Sequence, residues 1–248
     1  YKNSGCKGVV LGISGGKDST VVAMLVKKVF GDNVMAILMP NGRQSDMDDS
    51  IDIAKTLNLD WKIVNIETTY NNLLHSIECQ VTDVPRPLHN GGLVYERDFI
   101  QKCPHITEKA RTNIPPRIRM TILYAIAQSV GYRVIGTGNL SESYIGWCTK
   151  WGDCASDVNP IGHLTCSEVI AIGKELAKEF GLDEKYIVKP PEDGLSGKSD
   201  EDNFGFSYEE LDKYLRGEII TSEVADKIKE MHNNSIHKTK MPLKIREF

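Results

Sequence analysis

Six consecutive residues near the start of the chain, Ser14-Gly15-Gly16-Lys17-Asp18-Ser19, combine what phosphate chemistry needs. The two glycines admit positive φ and let bare backbone N–H groups approach a ligand. Ser14 and Ser19 add hydroxyl donors, and Asp18 is placed to hold a divalent cation bridging phosphates. A second polar run, GTGNLSESYIGWCTKWGD over 136–153, carries hydroxyls, acids and a lysine. Glu142 in that run could be another metal ligand opposite Asp18. Lys150 could neutralise developing charge, and Asp153 could take a proton. Any one of these side chains reads as well as an ordinary solvated polar group, but the cluster as a whole does not.

Such groups work only if strands and helices hold them. Val9-Val10-Leu11 reads as a buried parallel strand, and Val21, Val22, Leu25, Val26 and Val29 recur at helical spacing after the glycines. The loop is therefore a strand-to-helix turn, whose free N–H groups and dipole end form an anion site. Its spacing is neither Gly-x4-Gly-Lys-Ser/Thr nor Gly-x-Gly-x-x-Gly. Further strands are predicted over 34–39, 61–66 and 132–136. Helices are predicted around Ile51–Leu57, from Asn113 to Ala127, over 167–180, around Leu211–Leu215 and around Val224–Met231. Strands alternating with helices in units of about thirty residues predict an α/β fold with a doubly wound, mostly parallel sheet and helices on both faces. Residues Thr82–Gln101, with two prolines and two glycines, read as an irregular insertion, and the Gly- and Pro-rich stretch over 189–202 as a mobile loop. Arg117 and Arg119, two apart on a helix, project from different sides, so one could face a ligand while the other packs.

The chain has 248 residues, 40% hydrophobic and 26% charged, which are globular values. A net charge of −4 argues against broad nucleic-acid binding, so an anionic substrate has to be held by a few local cations. No apolar run reaches membrane-spanning length and no signal peptide is evident, so a cytoplasmic location is expected. The 6 cysteines include no Cys-x-x-Cys pair and fit neither a zinc cluster nor a disulfide framework, so reduced thiols are expected.

The first loop resembles the pyrophosphate loop of ATP pyrophosphatases, enzymes that form an adenylate. The later segments narrow this. GISGGKDS, NIPPRIRM, GTGNLSESYIGWCTKWGD, DVNP, DEDNFGFSYEELDKYL and HK follow one another as they do in NAD synthetases. The resemblance implies a single synthetase domain over 1–248, without a glutaminase segment. It implies that ATP adenylates the carboxylate of deamido-NAD and that ammonia then displaces AMP to give NAD. Gly12, Ile13, Ser14, Gly15, Gly16, Lys17, Asp18, Ser19 and Thr137 then match ATP-binding positions. Cys166 and Glu192 stand where the family often has an ATP-contacting Lys and a lid Thr. Asp18 and Glu142 match Mg²⁺ ligands. Arg117, Lys150, Asp157, His237 and Lys238 match positions that hold deamido-NAD, and Asp153 matches the aspartate proposed to bind or deprotonate the ammonia species. The region 189–206 and the loop after the second strand resemble lids. A homodimer is implied, with free ammonia as nitrogen source unless a separate glutaminase supplies it. Other amide-forming ATP pyrophosphatases share only the first loop, and a regulator that binds nucleotide without turnover is the remaining alternative.

Overall fold

A computed structural model describes residues 5–43, 46–78, 81–99, 106–189 and 200–241, with the side chains of 81–84 and 95–99 left aside. Its elements in chain order are β1 (Val9–Gly12), α1 (Lys17–Phe30), β2 (Val34–Leu38), α2 (Met47–Thr56), β3 (Asp60–Ile63), α3 (Glu67–Glu78), β4 (Val81–Pro87) and β5 (Leu93–Phe99). There follow α4 (Glu108–Thr112), α5 (Ile114–Val130), β6 (Arg133–Ile135), α6 (Leu140–Ile145), α7 (Cys166–Phe180), α8 (Lys185–Val188), α9 (Asp200–Phe204), α10 (Tyr208–Leu215) and α11 (Ser222–Ser235), then a 3-10 turn over Ile236–Lys238.

Four strands form a sheet of order β3-β2-β1-β6, and every pair in it is parallel. Side chains alternate across it, as the pleat requires. Val9 and Leu11 join Val21, Met24, Val169 and Ile187 on the α1/α7 face. Val10 points the other way, into Ile118, Leu123, Ala127 and Val134 against α5. Helices therefore cover both faces, which is the doubly wound arrangement. The helix-on-helix contact between α1 and α7 is close at Gly173, where a Cβ would lie 2.7 Å from a Val21 methyl carbon. A third, aromatic cluster lies outside the sheet. Ile145, Phe204, Phe206, Tyr208, Leu211 and Ile228 gather there from α6, α9, α10, α11 and the link between α9 and α10, with Trp147 meeting Phe204 edge-on at 4.7 Å between ring centroids.

The chain runs from β1 outward through β2 to β3 and returns on the opposite side of β1 as β6. The order thus reverses between β1 and β6. In open α/β sheets, ligands bind outside the strands' carboxyl ends at such a reversal. Both chemistry-bearing loops leave those two ends.

Two expectations are corrected. Within the stretch Thr82–Gln101, expected to be irregular, residues 82–99 form a hairpin: β4 and β5 pair antiparallel from Val81–Phe99 to Pro87–Leu93. Pro85 and Pro87 argued against strand, yet a two-stranded ribbon leaves edges where no N–H is needed. The expectation of reduced thiols fails for one pair, since Cys148 and Cys154 form a disulfide across six residues. Helix α3 had no marked pattern, and Leu74 is its only buried residue. Glu192 and the centre of the 189–202 stretch lie outside the described residues.

Candidate active site

β1 ends at Gly12, and Ile13 turns its side chain into the core while its N–H donates to the Ile37 carbonyl oxygen at 3.1 Å. Only the backbone of Ile13 is left to serve a ligand. Gly15 has φ +80, and a Cβ there would come within 3.1 Å of Asp46 O and Ser50 Oγ, so the turn needs glycine. Gly16 is the N-cap of α1 and supplies no side-chain cap. The first N–H groups of this 14-residue helix therefore stay available to an anion. The hydroxyls are prearranged: Ser14 and Ser19 Oγ lie 3.1 Å apart, and Ser19 Oγ donates to Gly16 O at 3.0 Å.

The second loop leaves the end of β6 through Gly136, half-buried Thr137 and Gly138, and enters α6 at Asn139. Asn139 and Glu142 form a capping box. Asn139 Oδ1 accepts the Glu142 N–H at 2.9 Å, and Glu142 Oε2 accepts the Asn139 N–H at 3.2 Å. The remaining end of the Asn139 amide, Nδ2, donates to Asp18 Oδ1 at 3.0 Å. One fully buried asparagine thus fastens the two loops and sets the two candidate metal ligands side by side. Asn139 is not among the residues that the sequence alone singles out for the site. Its signal was present, an Asn followed by Glu three positions later, but that pattern announces a helix start and not a bridge.

Lys17 completes the group. Its side chain is only 4% exposed, Nζ lies 2.9 Å from Asp18 Oδ2, and it sits 5.6 Å from the Tyr208 ring centroid. Burial alone would lower its pKa, but Asp18 and Glu142 outweigh that and raise it. Glu142 responds oppositely. Burial and the neighbouring Asp18 push its carboxyl up to about 8, against the pull of Lys17 and the Asn139 N–H. Burial and then Glu142 also raise the Tyr208 phenol, whose hydroxyl donates to Asp200 Oδ2 at 2.9 Å.

Cys166 is not at the surface of the site. It is 3% exposed and packs in the aromatic cluster. Burial pushes its thiol up to about 12, so it stays neutral. Its N–H donates to Ser141 Oγ at 3.0 Å, and Ser141 donates to Asp212 Oδ1 at 2.5 Å.

The other candidates gather beyond α6. Arg117 Nε donates to the Lys150 carbonyl at 3.1 Å, while Arg119 Nε turns to Met39 O at 3.0 Å. Lys150 Nζ donates to His237 O at 2.5 Å, so the backbone of His237 is engaged and its ring is exposed. Lys238 Nζ donates to Gly146 O at 2.7 Å and to Cys148 O at 2.9 Å. Asp153 Oδ1 accepts the Thr149 N–H at 2.9 Å. Desolvation raises the Asp153 carboxyl, opposed by Thr149 and Lys238. Asp157 differs from the rest: its Oδ2 accepts the Val134 N–H at 2.8 Å, so it ties down the edge of β6. Trp151, Cys154, Ser156, Tyr124, Lys238 and Lys240 border a cavity of about 730 Å³ next to this group. Lys189 Nζ meets Asp46 Oδ1 at 3.0 Å and Asp49 Oδ2 at 3.2 Å, tying the residue after α8 to the start of α2.

Among the described residues no helix is long and apolar enough to cross a membrane. Comparison with known proteins agrees with the geometry. The family described as NAD synthase matches residues 1–242. The NH(3)-dependent NAD(+) synthetase of Carboxydothermus hydrogenoformans is 38% identical over 244 residues, covering 97% of this chain and 90% of the relative. Among solved structures, an NMN synthetase from Francisella tularensis superposes with a TM-score of 0.82 at 31% identity, covering 99% of this chain and 92% of the other. The NH3-dependent NAD synthetase of Campylobacter jejuni gives 0.71 at 31% identity with the same coverage. With its two loops at the β1/β6 reversal and a match along nearly its whole length, the chain belongs to the NAD synthase family.

Proposed function

We propose that the two loops and the Lys150 segment divide the family's reaction, the ATP-dependent amidation of deamido-NAD with ammonia, as follows. The N-terminus of α1 and the Ser14–Gly16 backbone receive the departing pyrophosphate, whose negative charge the free N–H groups and the dipole stabilise. A carboxylate oxygen of the pyridine ring attacks the α-phosphorus of ATP, the bond to the β,γ-phosphates breaks, and an acyl-adenylate forms. Ammonia then adds to the activated carbonyl and AMP leaves with the electron pair of the cleaved C–O bond. Asp153 accepts the proton shed by the nitrogen, and desolvation, which raises its carboxyl above the ordinary value, makes it a stronger base. Lys150, Arg117 and Lys238 supply the cations that hold an anionic dinucleotide on a chain of net charge −4.

The donor set fits magnesium. Asp18 and Glu142 are hard oxygen ligands joined through Asn139. Among the described residues no group of three or more His, Cys, Asp or Glu poised for a metal occurs. Magnesium commonly takes one or two protein carboxylates and completes its shell with water and phosphate oxygens. When bound, it would neutralise charge building on the leaving pyrophosphate. The chain is read as one synthetase domain using free ammonia, unless a separate glutaminase delivers it. A homodimer is the arrangement that the family resemblance supports.

The observation that carries the assignment is the Asn139–Asp18 contact, which puts both acids at one place between neighbouring strands. The test is to incubate the chain with ATP, Mg²⁺, ammonia and deamido-NAD. NAD and AMP in equal amounts are expected, and Asp18→Asn is expected to abolish both. AMP formation by that variant at the wild-type rate refutes the role. A second reading, in which nicotinic acid mononucleotide is the better substrate, draws on the higher TM-score of the structure named an NMN synthetase. Comparing kcat/KM for the mononucleotide and the dinucleotide decides between them.

A further inference from the structure

Lys150 and Asp153 lie inside a small covalent ring, closed by the disulfide from Cys148 to Cys154. Within the ring, Trp151 has φ 64, a left-handed conformation that an aromatic residue rarely adopts, and the residue is 53% exposed. Such a conformation persists only where the surroundings over-determine it. Here they do. The Thr149 N–H meets Asp153 Oδ1, the Cys154 N–H meets Thr149 O at 3.3 Å, and Gly152 packs against Pro116 and Arg117. Ring closure over so few residues restricts the unfolded chain somewhat less than a long cross-link would, because the gain grows slowly with loop length. The bridge also fixes the shape of the loop that carries Lys150 and Asp153. Both cysteines are half-buried, and Cys154 borders the 730 Å³ cavity, where a small thiol can reach it.

We propose that the Cys148–Cys154 bridge is a redox-sensitive positioning clamp, which holds Lys150 and Asp153 for substrate when closed and lowers turnover when opened by a dithiol. The exchange balances: each cysteine sulfur gains one electron and one proton, and the dithiol loses two of each as it closes to its own disulfide. Glutathione disulfide reverses it. Disulfides in reducing compartments are mostly transient or regulatory, in keeping with a labile bridge beside a site and not deep in a core. The clamp rests on the reading of Lys150 and Asp153 given above.

The test uses the whole chain. It is oxidised with glutathione disulfide, then reduced with dithiothreitol, with free thiols counted by alkylation and mass spectrometry. On reduction kcat/KM for deamido-NAD is expected to fall about tenfold, the scale of a modest misplacement of catalytic groups. KM for ATP is expected to stay unchanged, and Trp emission to change as Trp151 leaves its left-handed conformation. Re-oxidation restores both kcat/KM and the emission. Cys148→Ser/Cys154→Ser is expected to show the reduced kinetics with or without dithiol, and a Trp151→Phe chain to lose the emission change. Unaltered kinetics after verified reduction overturn the clamp, as does a parallel rise in KM for ATP. So does a double variant that still responds to dithiol. Asp153→Asn separates the two ideas. If it keeps full turnover, the reading of the loop falls; if it is inactive while reduction has no effect, only the clamp falls.

Discussion

Asn139 makes two separable contacts, and a pair of substitutions tells them apart. Its Oδ1 caps α6 through the Glu142 N–H, and its Nδ2 reaches Asp18 Oδ1. Losing an N-cap costs about 1 kcal/mol. Losing a hydrogen bond to a charged group costs about 2 kcal/mol. Asn139→Ala removes both, about 3 kcal/mol, whereas Asn139→Ser keeps a capping oxygen and loses only the bridge, about 2 kcal/mol. At about 2 °C per kcal/mol for a chain of this size, Tm is expected to fall by about 6 °C and about 4 °C respectively. Activity is expected to follow the bridge alone. Without Nδ2 the Asp18 carboxylate is no longer aimed, and KM for ATP should rise by about tenfold in both variants, equivalent to about 1.4 kcal/mol of lost orientation. The assays are thermal unfolding and pyrophosphate release at varied ATP. If Asn139→Ser keeps the wild-type KM for ATP, the bridge does not position Asp18. If activity instead grades with Tm, the asparagine acts through stability alone, and the reasoning fails.

Other expectations follow from the same geometry. Lys17→Met leaves Asp18 and Glu142 without their buried counter-charge, at a cost of about 3 kcal/mol; unfolding followed with and without Mg²⁺ should show the metal recovering part of the loss, and no destabilisation would mean that Lys17 is dispensable. The Glu142 carboxyl is raised to about 8 in the metal-free chain, above its unfolded value. Its protonated form is therefore the one the fold favours, and its contribution to stability, full below pH 4.5, drains away as pH rises toward 8. Magnesium needs the ionised form, so the Mg²⁺-induced rise in Tm should be larger at pH 8 than at pH 6, and Glu142→Gln should abolish that difference. Lys238→Ala should raise KM for deamido-NAD while leaving KM for ATP nearly unchanged, and a parallel rise in both would count against its placement. Cys166, with its thiol pushed up to about 12, should resist iodoacetamide in the native chain and react after denaturation.

The centre of the sheet was legible because β1 and β2 are short apolar runs bounded by Gly, Pro and Asn, and because the continuous run of β1 gives way to the helical spacing of α1 across the glycines, whereas β3 (Asp60–Ile63) is largely exposed. Helix α3 escaped notice because it buries a single side chain and so imprints almost no pattern. The β4–β5 ribbon was hidden by prolines that count against a central strand but not against an edge. In the site, Asp18 and Glu142 stood out as acids beside glycine turns. What joins them did not, because it depends on which strands are neighbours. Asn139 and Asp18 are 121 positions apart. The disulfide was equally out of reach: a Cys pair separated by six matches no motif, and only the fold of the loop brings its Cα atoms to 5.8 Å.

The capping box also explains how a carboxylate can be aimed before any ligand arrives. Glu142 is the third residue of a short helix, and its Oε2 is already committed to the Asn139 N–H. A helix start of this kind restricts the side chain to the arrangement that closes the box. Asp18 is held from two sides, by the Asn139 amide on Oδ1 and by the Lys17 ammonium on Oδ2. With both acids ionised, the three side chains carry a net charge of about −1 in a partly desolvated setting, and protonating Glu142 brings that to zero. The pair is therefore tolerated in the folded chain without a metal, and a divalent cation entering with nucleotide phosphates displaces a proton and not a structure. That is why removing Lys17 should cost stability chiefly in the absence of magnesium, whereas removing the Asn139 amide should cost ATP affinity even when magnesium is present.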